Sequence, residues 1–160
     1  MTQAGVDLLL FAEEVREALI AKKPVVAIES ASIVHNIDRP GNYELALELD
    51  AQVRAKGAIP AMIAVLDGNV YIGMHPDQMR TLTINPEVMR VGARDLAIAV
   101  TFGKSAATTA EATKELAKAA GITSVATFEL GEDDSQSVRI EKIKAEIDKA
   151  TDLAGRSTNS

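Results

Sequence analysis

The sequence contains no cysteine and no tryptophan, and aromatic residues make up only 3% of its 160 residues. The absence of cysteine excludes disulfide bonds and thiolate metal sites. Because 47% of the residues are nevertheless hydrophobic, the core must be built from alanine, valine, isoleucine and leucine. Chains of this composition often fold as α/β proteins in which helices pack closely on a sheet.

Long apolar runs and surplus positive charge are also absent. No stretch reaches the roughly 18 uninterrupted apolar residues of a membrane-spanning helix. The apolar run near the N-terminus is interrupted and flanked by Asp7, Glu13 and Glu14, so no signal peptide is predicted. The net charge of −6 argues against non-specific nucleic-acid binding, which needs a surplus of lysine and arginine. We therefore expect a soluble, cytoplasmic protein that binds neither membranes nor nucleic acids.

Alternating apolar segments predict an α/β fold, a layered domain with a mostly parallel sheet and helices on both faces. Continuous apolar runs predict buried strands, which we expect to be neighbours, at VVAIE, MIAVL and SVATF. A hairpin signal at 67–69 leads into VYIG, and EVMRV is typical of a further short strand. Helices are predicted over 6–22, 43–56, 75–82, 93–102 and 105–120.

Two segments are predicted on either side of Phe128. Residues 1–128 form the α/β domain, and the loop of about a dozen residues after Glu29 precedes a helix capped by Asn42 and stopped by Gly57. Residues 129–160 contain an acidic connector, an amphipathic helix and a disordered tail over 155–160. The amphipathic helix carries a narrow apolar stripe of Ile140, Ile143, Ile147 and Ala150.

Glu29 ends the first buried strand and is the leading candidate for chemistry. In open α/β sheets, ligands collect at the carboxyl ends of the strands. A partly desolvated carboxyl group there suits general acid catalysis. The alternative is that Glu29 caps a neighbouring helix or pairs with an arginine. His35 and Arg39 in the following loop could bind an anion, although a loop histidine is often only a surface hydrogen-bonding residue.

Four further residues are candidates for binding an anion. Thr108 and Thr109 open a predicted helix, where free N–H groups and hydroxyls form a modest anion site or merely cap the helix. Arg90 and Arg94 flank a strand end and are candidate phosphate ligands, with surface salt bridges as the alternative. We expect all of these to converge with Glu29 and His35 on one cleft. No metal-ligand cluster is recognisable in the sequence.

Five segments occur in a specific order between Pro24 and Thr127. They are PVVAIES followed by His35, Pro40 and Asn42, then RAKGAIPAMIAVLDGNVYIG, VMRVGARDLA, SAATTAEAT and AGITSVAT. Together they resemble the pseudouridine-5′-phosphate glycosidase family, also called the indigoidine synthase A family. The resemblance covers roughly two-thirds of the chain.

The resemblance implies cleavage or formation of the carbon–carbon bond between uracil and ribose 5-phosphate. In the family a lysine forms a Schiff base with the opened sugar, a glutamate handles protons, and a divalent metal, usually manganese, completes the site. Glu29 matches the proton-donating glutamate, and Arg90 falls where the family carries a substrate-binding lysine. Ala110 falls at a substrate-contacting position, and Thr127 ends the strand that leads into the family's glycine-rich loop.

The resemblance stops where the family's second half begins. In place of the glycine-rich loop this chain reads FELGEDD over 128–134, and the segments with the Schiff-base lysine and the metal-binding aspartate have no counterpart. Manganese binding is therefore doubtful, and Lys104 is the local candidate for a replacement lysine.

The chain is similar to the N-terminal half of the family fold. The alternatives are a shortened C-glycosidase, a non-catalytic binder of a sugar phosphate or nucleotide, one piece of a split enzyme completed by a partner chain, and a gene fragment. Uncovered apolar surface predicts a homo-oligomer or such a partner chain.

Overall fold

The structure, a computed structural model, describes residues 8–159, with side chains as far as Ser157. The elements in chain order are β1 (Leu9–Phe11), α1 (Glu13–Ile20), β2 (Val25–Glu29), α2 (Ala31–Asn36), α3 (Gly41–Ala55), β3 (Ile59–Leu66), β4 (Asn69–Ile72), α4 (Pro76–Ile84), β5 (Met89–Val91), α5 (Leu96–Thr101), β6 (Ala106–Thr108), α6 (Ala110–Ala120), β7 (Ser124–Ala126) and α7 (Gln136–Asn159). No helix within this part of the chain combines the length and the apolar character needed to cross a bilayer.

The sheet is mixed but mostly parallel and is built around the long strand β3. The strand order is β1-β4-β3-β2-β7, and β6 pairs with both β3 and β5. Strand β2 runs parallel to β3 and to β7, so the three predicted strands are neighbours, as expected. Strands β4 and β6 run antiparallel to β3.

Strands β2 and β6 share one side of β3. Strand β2 pairs with the first part of β3, from Ile59 to Ile63, and β6 pairs with the next two residues, Ala64 and Val65. Strand β4 pairs with Ile63–Leu66 and therefore occupies the other side. Because β6 runs opposite to β2, the carboxyl ends of these two strands face each other.

Helices cover both faces of the sheet, which confirms the predicted layered α/β fold. One hydrophobic cluster joins the sheet to α2, α3, α4 and α7. The other joins it to α1, α5 and α6. Alanine, valine, isoleucine and leucine dominate both clusters, so the scarcity of aromatic residues is met by close helix–sheet packing.

The single helix predicted over 6–22 is wrong in its first part. Leu9–Phe11 form β1, which pairs in parallel with Val70–Ile72, and the helix begins only at Glu13. Residues 6 and 7 lie outside the described residues. A short apolar run is compatible with either a strand or a helix. This run forms a strand because it pairs with the edge of β4.

Three other local predictions need correction. The loop after Glu29 contains the helix α2, and Asn42 is not a cap, because it lies inside α3 and is buried. The helix predicted over 105–120 begins only at Ala110, because Ala106–Thr108 form β6. Gly57 does end α3, with a φ of 83° that favours glycine.

Helix α7 is longer than predicted and belongs to the core. The tail expected to be disordered is helical as far as Asn159. The predicted apolar stripe is confirmed, since Ile143, Ile147 and Ala150 are buried in the same cluster as α3. Residues beyond the predicted boundary at 128/129 therefore pack directly on the α/β layers.

Candidate functional site

The carboxyl ends of β2 and β6 meet beside Ile63. Ser30, just after β2, donates from Oγ to the Ile63 carbonyl at 2.7 Å, and Thr108, at the end of β6, donates from Oγ1 to the same carbonyl at 2.9 Å. The strand ends therefore come together, although for a different reason than the sequence suggested. They do not share one edge of a parallel sheet, because β6 approaches from the opposite direction. We call this meeting point the Glu29 crevice, defined by Glu29, Ser30, Thr108 and Thr113.

Glu29 is 1% exposed and both of its carboxylate oxygens are occupied. Oε2 accepts hydrogen bonds from the backbone N–H of Ser32 at 3.1 Å and from its Oγ at 2.5 Å. Oε1 accepts from the backbone N–H of Phe128 at 3.0 Å. Glu29 is thus buried more deeply than expected. It caps the amino end of α2, as the alternative interpretation held, and also ties down the chain that leaves β7.

A buried hydroxyl network surrounds the strand ends. The Thr108 N–H donates to Ser30 Oγ at 2.8 Å, and the Thr108 and Thr113 hydroxyl oxygens lie 2.8 Å apart. All three side chains are fully buried. The sequence interpretation missed Ser30, Ser32 and Thr113. A usable signal was present, because serines directly after an apolar strand that ends in glutamate are placed to bond to that carboxylate and to neighbouring carbonyls.

His35 links α2 to the strand that carries Arg90. Its Nε2 lies 3.3 Å from the Met89 carbonyl, and the imidazole is exposed. Arg90 pairs in register with Ala107, which packs in the cluster containing α2. Since paired residues share a face of the sheet, His35 and the exposed Arg90 lie on the same side.

The remaining anion-binding candidates lie toward α5 and α6. Arg94 is exposed in the turn before α5. Thr109 is the N-cap of α6, and its Oγ1 accepts from the Ala112 N–H at 3.4 Å. Ala110 is the first residue of that helix and is half-buried.

Thr127 and Lys104 lie at separate places in the fold. Thr127 follows β7 and lines a cavity of about 420 Å³ beside α7, together with Glu129 and Lys142. Lys104 precedes β6, and its carbonyl accepts from the Gly68 N–H of the β3–β4 hairpin at 2.9 Å. Lys104 therefore lies at the amino end of β6, away from the crevice at its carboxyl end, which does not suit it for the Schiff-base role.

A second cavity, of about 570 Å³, lies where α2, α4 and the chain before β5 come together. His35 and Arg39, which the sequence grouped as possible anion ligands, both line it. The Arg39 guanidinium donates from Nη1 to the Ile84 carbonyl at 3.3 Å. We call this the Arg39 cavity; its other lining residues are Val34, Ile37, Asp38, Thr83, Asn85 and Pro86.

Clustered metal ligands are absent from the described residues. Within the part of the chain that the structure describes, no three histidine, aspartate or glutamate side chains are grouped so that they could hold a metal ion. No chemical step is therefore assigned to the metal that the resemblance implies.

Several known proteins are similar to this chain in sequence. A family model described as Indigoidine synthase A like protein matches residues 14–155. A pseudouridine-5′-phosphate glycosidase of Streptomyces griseus subsp. griseus is 48% identical over 122 residues, which are 76% of this chain and 38% of the relative. A second protein of that name, from Herpetosiphon aurantiacus, is 42% identical over 77% of this chain and 41% of the relative.

Two solved structures share the fold. The prealnumycin C-glycosynthase AlnA in complex with ribulose 5-phosphate gives a TM-score of 0.67 at 31% identity, covering 77% of this chain and 39% of that one. An indigoidine synthase A-like protein of Thermotoga maritima also gives 0.67, at 26% identity, covering 89% of this chain and 55% of that one. The chain spans about two-fifths of the length of the two pseudouridine-5′-phosphate glycosidases that it matches in sequence. Because the family model matches residues 14–155 of 160, the chain belongs to the indigoidine synthase A-like family.

Proposed function

We propose that this chain takes part in cleaving or forming the carbon–carbon bond between a nucleobase and ribose 5-phosphate. The observation that carries the proposal is Glu29, a buried carboxyl group at the point where two strand ends meet. It falls at the position of the proton-donating glutamate in the family resemblance. Relatives named pseudouridine-5′-phosphate glycosidase and a structural neighbour named a C-glycosynthase support the same class of reaction.

The chemistry needs a group that moves a proton. When the bond to the sugar breaks, the base carbon must gain a proton, and when the bond forms that proton must leave. Glu29 would exchange this proton through Oε1, which accepts a hydrogen bond from the Phe128 N–H in the structure. The segment at Thr127 and Phe128 therefore has to move before the nucleobase of a substrate can reach the carboxyl group.

The charge of the substrate also has to be met locally. The chain carries a net charge of −6, so a phosphate ester needs a positive focus on the surface. The exposed Arg39 and Arg90 lie on the side of α2, and Arg94 lies before α5. Arg90, in the place of the family's substrate-binding lysine, still binds phosphate but cannot replace a lysine in every role.

A second candidate function is sugar-phosphate or nucleotide binding without turnover. One observation favours it: the Glu29 carboxylate accepts three hydrogen bonds from the protein itself, so it has a structural role that does not require catalysis. Under this candidate the chain would bind its ligand while Glu29 only holds α2 and β7 together.

Turnover of pseudouridine 5′-phosphate separates the two candidates. The release of uracil, followed by its absorbance with and without manganese, should be measurable for the wild type and lost in Glu29→Gln, while ribose 5-phosphate still binds. Arg90→Ala should instead raise KM. Glu111→Gln, which changes an exposed glutamate of α6, is the matched control and should turn over normally. Binding without turnover in the wild type would reject the first candidate and leave the second.

The assembly is part of the proposal. We propose a cytoplasmic homo-oligomer, or a complex with a chain that supplies the Schiff-base lysine, because Lys104 lies at the far end of β6 and exposed apolar side chains such as Leu8 and Phe102 remain on the surface. Sedimentation should give a species larger than the monomer. A stable monomer at micromolar concentration would contradict this.

A further inference from the structure

The Arg39 cavity has walls that are fixed by buried hydrogen bonds. Asn42 is 0% exposed, and its Nδ2 donates to the Val34 carbonyl of α2 at 3.3 Å and to the Thr83 carbonyl of α4 at 3.1 Å. One buried amide therefore joins two helices that line the cavity. Such cross-links pre-organise a cavity, which lowers the entropy cost of binding a ligand.

Contacts from β5 and α7 hold the other sides. His35 Nε2 lies 3.3 Å from the Met89 carbonyl, which joins the end of α2 to β5. The Gln136 side chain of α7 accepts from the Asp38 N–H at 2.9 Å and donates to the Asn36 carbonyl at 3.0 Å. Contacts among five elements, α2, α3, α4, β5 and α7, thus fix the position of the residues around this opening.

The lining offers uncommitted donors at one end. A guanidinium has five N–H donors, and Arg39 uses one of them on the Ile84 carbonyl. Within the described residues no carboxylate forms an ion pair with Arg39. Asn85 accepts from the Glu87 N–H through Oδ1, so its Nδ2 is the end that can donate to a ligand.

The lining also offers a carboxylate acceptor. Asp38 lines the cavity next to Arg39, and its hydrogen bond to Gln136 uses only the backbone. A carboxylate repels inorganic phosphate but accepts hydrogen bonds from hydroxyl groups. The combination favours a ligand that carries an anion at one end and hydroxyls at the other. A cavity of about 570 Å³ is large enough for such a small molecule.

We propose that the Arg39 cavity is a phosphorylated-sugar site, in which the Arg39 guanidinium pairs with the phosphate and the Asp38 carboxylate accepts from the sugar hydroxyls. Asn85 donates a further hydrogen bond, and Asn42 is a positioning residue that holds the two walls. The choice of a sugar as the hydroxyl-bearing part rests on the proposed function. The site uses none of the residues of the Glu29 crevice and needs no metal ion.

Calorimetric titration of the EDTA-treated full chain with ribose 5-phosphate, ribose and inorganic phosphate tests the site. The wild type should bind ribose 5-phosphate, and Arg39→Ala should weaken that binding by about tenfold or more, because a charge-assisted and often bidentate pair is lost. Arg39→Lys should bind with intermediate affinity. Arg16→Ala removes an equal charge from α1, where Arg16 lies over the Phe11 ring on the other face, and should change nothing.

Asp38→Asn gives a test that a purely structural role would not pass. It should weaken ribose 5-phosphate binding by several-fold, because an amide is a poorer acceptor, yet tighten inorganic phosphate, because a repulsive charge is removed. The same direction of change for both ligands would overturn the assignment of Asp38.

The outcomes distinguish this site from the proposed function. Equal affinities of Arg39→Ala and Arg16→Ala, or no binding of ribose 5-phosphate by the wild type, would overturn the site. Glu29-dependent turnover with an unchanged KM in Arg39→Ala would keep the proposed function and reject the site. Arg39-dependent binding without turnover would support the site and reject the catalytic proposal.

Discussion

The Glu29 crevice and the Arg39 cavity lie at opposite ends of α2 and differ in how their polar groups are used. Helix α2 has six residues, so it separates them by about 9 Å along its axis. In the crevice Glu29, Ser30, Thr108 and Thr113 are at most 1% exposed and bond to the protein itself. In the cavity Asp38 and Arg39 are exposed.

This difference separates two roles that the sequence had combined. Polar groups that already have protein partners stabilise the fold and must exchange those partners before they touch a substrate. Polar groups whose bonding capacity faces an opening are ready for a ligand. Stability measurements should therefore respond to the crevice, and binding measurements to the cavity.

The largest effect on stability is expected for Glu29→Ala. The substitution leaves three donors, two from Ser32 and one from Phe128, without their acceptor in the core. We expect a loss of about 4 kcal/mol in the free energy of unfolding, measured by urea denaturation. Glu111→Ala is the exposed control and should stay within about 0.5 kcal/mol of the wild type. Similar losses in the free energy of unfolding for the two variants would show that the buried carboxylate of the crevice stabilises the fold no more than an exposed one.

A somewhat smaller loss is expected for Ile147→Ala in α7. Ile147 is fully buried in the cluster that also contains α3, so removing three carbon atoms leaves a cavity that costs about 3 kcal/mol. Leu153→Ala in the same helix is the control, since Leu153 is 49% exposed. If Ile147→Ala unfolds with wild-type stability, α7 does not belong to the core and cannot hold Asp38 in place.

Thr108→Val tests the hydroxyl network alone. Valine keeps the shape but removes the oxygen that bonds to Ile63 and Thr113, which should cost about 1.5 kcal/mol. Thr123→Val, at an exposed threonine before β7, should be nearly neutral. An equal effect of both substitutions would show that the network does not stabilise the meeting of the strands.

The smallest effect is expected at an exposed ion pair. The Arg54 guanidinium, which hydrogen-bonds to Glu14, holds the pKa of Glu14 below its usual value of 4.5. Glu14 therefore stabilises the fold above its usual pKa, and this contribution is lost as the pH falls through the lowered pKa. Both side chains are 41% exposed, so Glu14→Gln should cost only about 0.5 kcal/mol at neutral pH and nothing at strongly acidic pH. Denaturation at both pH values measures this, and a pH-independent difference would contradict it.

Much of the fold was predictable because its central strands are continuous apolar runs. Strands β2, β3 and β7 were found at the expected places, and Gly57 ended its helix. Strand β6 was missed because Ala106 and Ala107 favour helix locally. Strand β2 leaves the last part of that side of β3 unpaired, and these residues pair there as a strand instead. Their conformation is therefore set by a tertiary contact.

Only the features of the site that depend on the local sequence could be predicted. The position of Glu29 at a strand end follows from the sequence, but one of its partners, Phe128, lies 99 residues further along the chain. The Arg39 cavity depends on Asn42, whose amide contacts two helices that no local pattern places together. A side chain that joins distant segments leaves no periodic signal in the sequence.

Ribose 5-phosphate carries no nucleobase, so amide NMR during its titration tests most directly whether the ligand binds in the cavity while the crevice stays closed. Chemical-shift changes are expected at the backbone N–H groups of Asp38, Arg39 and Glu87, while the signals of Ser32 and Phe128 should keep their positions. Shifts at Ser32 and Phe128 with unchanged signals around Arg39 would contradict it.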